Sequence, residues 1–178
     1  MLFSLPIVTI GASTIAAYSV SLKMVDDEEG YIGRAFVKAF KANLKQGIIL
    51  GLFNIAAIYL VYLNFMLFNA IESNPLPLLL IGIIGSVYFF FSFLYAYPLL
   101  ARYENSIVKT VKNSVTISLR YFGRTIVLLL ILALTLFIIF YNYTTMFIAF
   151  FMGPAFIIFT ISAFAKRIFQ KIEKEQTE

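Results

Sequence analysis

Hydrophobic residues in this chain come in long unbroken runs separated by short polar intervals. Five runs have the length of a membrane-crossing helix: roughly 3–22, 47–71, 76–100, 125–143 and 145–165. A helix needs about 17–25 mostly apolar residues to cross a hydrocarbon core of about 30 Å. Barrel strands would alternate apolar and polar residues in segments of about ten, and these runs do not. The pattern predicts an all-α, polytopic transmembrane bundle of five spans, forming a single membrane domain over residues 1–178. The first run is the weakest, because it carries Pro6, Gly11 and the hydroxyl residues Thr9, Ser13, Thr14, Ser19 and Ser21. A secretory signal peptide is the alternative there, but no Lys or Arg precedes the run, and such a peptide needs a positive n-region.

Composition strengthens the membrane reading. Of 178 residues 61% are hydrophobic and 13% charged, against about 45–50% and 25% in soluble domains. A chain this short cannot hide so much apolar surface in one soluble core. The absence of Cys and His removes thiol nucleophiles, thiolate metal sites, disulfides and the commonest general base.

Charge then sets the topology. All 14 Lys and Arg residues fall in three intervals, 23–46, 101–124 and the tail 166–178. The intervening connections, Glu72–Pro77 and a tight turn near Asn142–Thr145, have none. The positive-inside rule places the N-terminus outside and the C-terminus in the cytoplasm of a cell-membrane protein. The net charge of +5 sits beside spans, where anionic lipid of the cytoplasmic leaflet is the fitting partner. No nucleic-acid motif accompanies it.

Both long inner connections read as amphipathic interfacial helices. In the first, Phe36, Phe40 and Leu44 make an apolar stripe, with Arg34, Lys38, Lys41 and Lys45 on another face. In the second the stripe is Val108, Val111, Val115 and Leu119, with Lys109, Lys112 and Arg120 off it. Each helix serves either as a lipid anchor or as a docking surface for a cytoplasmic partner. A shared Val-Lys-x-apolar-Lys pattern at Val37–Lys41 and Val108–Lys112 hints at two parallel span–helix–span units followed by a fifth span. The run Asp26-Asp27-Glu28-Glu29, closed by Gly30, fits a helix start that complements the macrodipole. Partner recognition and a divalent cation are the alternatives.

Catalytic chemistry has no visible foothold. No phosphate-binding loop, nucleophile elbow or zinc helix occurs, and the five spans contain no Asp, Glu, Lys or Arg. No enzyme activity and no cofactor are expected. Asn54, Asn64, Asn69, Ser86 and Ser92 fit interhelical hydrogen bonding or solute contact. Gly153-Pro154 in the fifth span is either a packing kink or a hinge beside a cavity. The aromatic residues of spans three and five, among them Tyr88, Phe90, Tyr97, Phe147 and Phe151, either stack on sugar rings or face lipid and neighbouring helices.

Gly11-Ala-Ser-Thr, then Leu22-Lys-Met-Val-Asp-Asp-Glu-Glu-Gly-Tyr31 and Arg34-Ala-Phe-Val-Lys-Ala-Phe-Lys-Ala-Asn-Leu-Lys-Gln46, resemble the YesL family of small bacterial membrane proteins. The resemblance continues more loosely through Pro98-Leu-Leu-Ala-Arg-Tyr-Glu104 and the second connection. Members usually carry more apolar sequence ahead of the segment matching Ser4-Leu5-Pro6, and the resemblance therefore implies either a shortened or a mis-started reading frame, on which the depth of the first span depends. The family is typically encoded beside carbohydrate importers of the ATP-binding cassette type. The resemblance implies an accessory role in sugar uptake, with docking through Asp26, Asp27, Glu28, Glu29, Gly30, Arg34, Lys38, Lys41, Lys45, Glu104, Lys109 and Lys112. Importer subunits and further copies of this chain are the expected protein partners. A stand-alone solute facilitator and a structural, lipid-interacting protein are the other readings.

Overall fold

A computed structural model describes residues 4–25, 31–71 and 75–177. Every element among them is an α-helix: α1 (Ser4–Val25), α2 (Ile32–Ala42), α3 (Leu44–Ala70), α4 (Leu76–Arg102), α5 (Ile107–Arg120), α6 (Phe122–Ile139) and α7 (Tyr143–Thr177). Four of them, α3, α4, α6 and α7, are long and apolar enough to cross a membrane. Their broad exposed faces carry large apolar side chains such as Leu60, Ile84, Leu130 and Phe150. That is the surface a helix presents to hydrocarbon.

α1 is the exception that organises the bundle. Its 22 residues span about 33 Å at 1.5 Å per residue, yet small and hydroxyl residues make up more of it than of the other four. The reason is its neighbours. Gly11, Ala12, Ile15, Ala16, Tyr18, Val20, Ser21 and Leu22 are all buried, because α1 packs against α3, α4 and α7 at once. A helix surrounded by helices needs small residues for close approach more than it needs hydrophobicity. A Cβ added to Gly11 would stand 2.0 Å from the Gly47 carbonyl oxygen, and one on Gly47 would stand 2.4 Å from Ala12 Cα. Gly47 and Gly51, one turn apart on α3, therefore let the two backbones touch.

The core lies towards one end of the bundle. Leu94 to Leu100 of α4 are buried without interruption, Pro98 among them. Around them close Leu50, Leu128, Ile161, Ile168 and Phe169. Polar side chains tie this region: Asn54 Nδ2 donates to the Tyr97 hydroxyl at 2.9 Å, and Tyr95 and Thr125 share a hydrogen bond at 3.2 Å. Asn54 thus takes the interhelical role, while Asn69 is exposed.

Both basic connections are built alike. In each, a short helix meets the next long one through a single non-helical residue. Asn43 joins α2 to α3 at φ −104°, ψ 11°, and Tyr121 joins α5 to α6 at φ −108°, ψ 40°. The amide of each joint still bonds four residues back, to Ala39 and Ile117, so the chain turns without losing its hydrogen bonds.

The apolar stripes differ from the sequence expectation. α2 ends at Ala42, so Leu44 and Lys45 belong to the first turn of α3 rather than to the α2 stripe. On α5, Val108 and Leu119 are exposed, and the buried face is Thr110, Val111, Ser114, Ile117 and Ser118. Hydroxyls four residues apart make this face. Ser114 Oγ donates to the Ser92 carbonyl at 2.6 Å, and Ser118 Oγ to the Ser114 carbonyl at 2.9 Å. A short side chain that bonds backbone carbonyls allows α5 to lie directly against α4, where a valine ridge would hold it off.

The turn before α7 is capped from both sides. Asn142 Oδ1 accepts the Thr145 amide at 2.8 Å, and Thr145 Oγ1 accepts the Asn142 amide at 3.2 Å. This is a capping box with Thr in place of Glu, and it puts Thr145 inside the helix. α7 then runs unbroken through Pro154 for 35 residues, about 52 Å. It outruns any hydrocarbon core, so the interval 166–177 is the end of a long helix rather than a separate tail.

Candidate functional site

The three basic intervals of the sequence meet at one end of the bundle. Gln46 Nε2, at the start of α3, donates to the Asn105 carbonyl between α4 and α5 at 3.4 Å. Lys166 Nζ on α7 donates to the Val25 carbonyl at the end of α1 at 2.6 Å. That bond satisfies one of the orphan carbonyls at a helix C-terminus, and the charge complements the macrodipole.

On this end α2 contributes Arg34, Lys38 and Lys41, all exposed, and α3 contributes exposed Lys45. The Arg34 guanidinium lies 4.9 Å from the centre of the Tyr31 ring. The opposite flank of α2 carries Phe36 and Phe40, half-buried and stacked at 6.4 Å. Glu104 before α5, and Lys109 and Lys112 upon it, are exposed as well. Asp26, Asp27, Glu28, Glu29 and Gly30 lie outside the described residues.

A second set of residues braces this end, and sequence reasoning missed it. Arg102, the last residue of α4, grips Glu173 of α7 with two bonds, Nε to Oε1 at 3.1 Å and Nη2 to Oε2 at 3.0 Å. The Tyr103 hydroxyl donates to the same carboxylate. Burial first, and then the Glu173 carboxylate, push the Tyr103 phenol up to about 12, so it remains a proton donor at any physiological pH. Two residues further along α7, Glu175 Oε2 meets Arg120 Nη2 at 2.8 Å. The Tyr121 ring at the α5–α6 joint has Arg120, Arg124 and Lys171 within 6 Å. The signal was present in the tail: Ile168, Phe169 and Ile172 recur at helical spacing, with Glu173 and Glu175 beside them. Ile168 and Phe169 are fully buried.

Between α4, α5 and α7 these braces border a pocket of about 410 Å³ that includes Asn105, Asn113, Thr116, Arg120 and Glu173. A larger groove of about 910 Å³ runs between α1, α6 and α7. Gly153 is buried on its wall beside Ala149 and Ile139, with room for ordinary contact only. Tyr88, Phe90, Phe147, Phe150 and Phe151 are exposed on the apolar surface, whereas Tyr95 and Tyr97 are core residues. Among the described residues no group of three carboxylate, His or Cys side chains is placed to hold a metal.

No curated protein and no solved structure matches the chain. Its residues 1–65, which comprise α1, α2 and most of α3, match the sequence model of a family described as a protein of unknown function, DUF624.

Proposed function

We propose that this is a non-enzymatic, five-span protein of the bacterial cell membrane, N-terminus outside and C-terminus cytoplasmic, that serves as an accessory partner of a carbohydrate importer of the ATP-binding cassette type. The observation that carries the reading is the braced basic end. Exposed cations on α5 stand beside the Arg102–Glu173 and Arg120–Glu175 pairs, and those on α2 ride on a helix packed against α1. A protein that docks a partner gains from a preformed surface, because little ordering is left to do on binding. The likeness to the YesL family supplies the class of partner, and the match of residues 1–65 to an unknown-function family is consistent with it. α1 counts as the fifth span because its length suffices and its neighbours cover its polar positions.

The test is affinity capture of the tagged chain from native membranes in mild detergent. Stoichiometric recovery of importer subunits, lost when Lys109 and Lys112 are both changed to Glu, is the expected result. Recovery of this chain alone refutes the reading. A lipid-interacting role is the second reading, favoured by the amphipathic build of α2, whose aromatic flank faces the bundle and whose cations face out.

A further inference from the structure

The joint between α5 and α6 gathers more positive charge than the acids around it neutralise. The Tyr121 ring is buried there, and three cations approach its centre from three helices. The Arg120 guanidinium of α5 stands at 5.9 Å, that of Arg124 of α6 at 5.9 Å, and the Lys171 ammonium of α7 at 5.6 Å. All three side chains are exposed. Among the described residues one carboxylate pairs with the group: Glu175 Oε2 lies 2.8 Å from Arg120 Nη2. Arg124 and Lys171 have no ion pair there. Arg124 Nη1 donates instead to the Arg167 carbonyl at 3.4 Å, which holds its guanidinium against α7. Attraction to a ring face offsets part of the repulsion between these cations but neutralises none of it. Like charges converging on one ring favour an anion among them.

Position identifies the anion. Arg124 is the third residue of α6, a helix long and apolar enough to cross a membrane. Val127, Ile131 and Leu134 follow it at helical spacing and so share its flank of α6. Val127 and Leu134 are exposed, and Ile131 is half-buried. From Arg124 to Leu134 this flank runs about 15 Å, the depth of one leaflet of a hydrocarbon core about 30 Å thick. A soluble phosphate uses the cations and leaves the apolar flank bare, whereas a phospholipid uses both. A zwitterionic headgroup adds a quaternary ammonium to a site already rich in positive charge.

We infer that the α5–α6 joint holds one anionic phospholipid. Its phosphate oxygens accept hydrogen bonds from Arg124 and Lys171, and one acyl chain lies along Val127, Ile131 and Leu134. The inference gives the lipid-interacting reading a place and a chemistry; it rests on that reading and not on the importer partnership.

The test is native mass spectrometry of the full chain, purified in detergent and titrated in parallel with dioleoyl-phosphatidylglycerol and dioleoyl-phosphatidylcholine. Glycerol 3-phosphate, a phosphate without acyl chains, is the third titrant and should not bind at these concentrations. A cation at an anionic headgroup is worth about fivefold in affinity, so one phosphatidylglycerol should bind at least about tenfold more tightly than phosphatidylcholine. Arg124→Gln with Lys171→Gln, both at exposed positions, should bring the two lipids within about threefold of each other. Arg34→Gln with Lys38→Gln removes the same charge from α2, which packs on α1, and should leave the selectivity unchanged. Glu175→Gln frees Arg120 and should tighten phosphatidylglycerol binding about twofold or more, a gain that a misfolded variant cannot imitate. Equal binding of both lipids by the unmodified chain overturns the inference. So does selectivity that survives the loss of Arg124 and Lys171, or that falls as much with the α2 pair. Glycerol 3-phosphate bound as tightly as the lipid assigns the joint to a soluble anion and overturns it too. Selectivity lost with the α2 pair alone refutes this site while the lipid-interacting reading stands.

Discussion

Gly47→Ala is the sharpest probe of how the bundle is held. The substitution adds one methyl group, which in an exposed helix would stabilise by about 0.5–1 kcal/mol. Here the new Cβ would meet Ala12 Cα at 2.4 Å and Ala12 N at 2.5 Å. Carbon atoms rest at about 3.5–4.0 Å, so α1 and α3 must part by more than 1 Å, and no flexible side chain can absorb the shift. Overpacking of this kind costs about 1–3 kcal/mol, and for a chain of this size each kcal/mol lowers Tm by about 2–4 °C. Because both backbones are involved, the upper half applies, a fall of roughly 4–12 °C. Thermal unfolding in detergent, followed by size-exclusion recovery of folded protein, measures it. Gly11→Ala attacks the same contact from the other side, 2.0 Å from the Gly47 oxygen. Once the helices have parted, the second change should add little, so the double variant should lose much less than the sum of the singles. Gly85→Ala, with nothing within 4 Å of its Cβ, is the control and should not lose stability. A Gly47→Ala variant as stable as the parent, or strictly additive losses, would refute the close crossing.

Other consequences follow from the same structure. Tyr97→Phe strands the Asn54 amide, a buried donor, and should cost about 1–2 kcal/mol; adding Asn54→Leu should restore most of it, as thermal unfolding would show. Glu173→Gln should weaken the brace on Arg102 and Tyr103 and speed amide exchange from residue 168 onward, while the membrane segment of α7 keeps its protection. The chain contains no Cys, so single cysteines report topology cleanly. Positions 38, 112 and 171 should label only from the cytoplasmic side and position 141 only from the outer side; labelling of 38 and 141 from one side would contradict the five-span arrangement. Ser114→Ala removes the bond to the Ser92 carbonyl with little change of volume, and should destabilise by about 0.5–1.5 kcal/mol, measured by the same unfolding assay.

Long apolar runs, the clustering of cations and the scarcity of chemically active side chains were legible along the chain because each depends only on local composition. A run of 25 apolar residues has few fates other than a membrane helix, and α3 and α4 follow directly from theirs. What composition could not reveal is which neighbour each residue meets. Gly11 and Ser21 made the first run look weak; contact with α3, α4 and α7 makes it the centre of the bundle. The valines of α5 fitted a lipid-facing stripe, but the hydroxyls of Ser114 and Ser118 decided its packing by bonding the Phe91 and Ser92 carbonyls of α4, which only the folded chain brings near. Glu173 reads as one charge in a solvated tail until Arg102, seventy-one residues earlier, is placed against it. Periodicity records how a helix is made. Helix-to-helix contact in a membrane is set by close backbone approach and by hydrogen bonds across the interface, and these are properties of pairs that lie far apart along the chain.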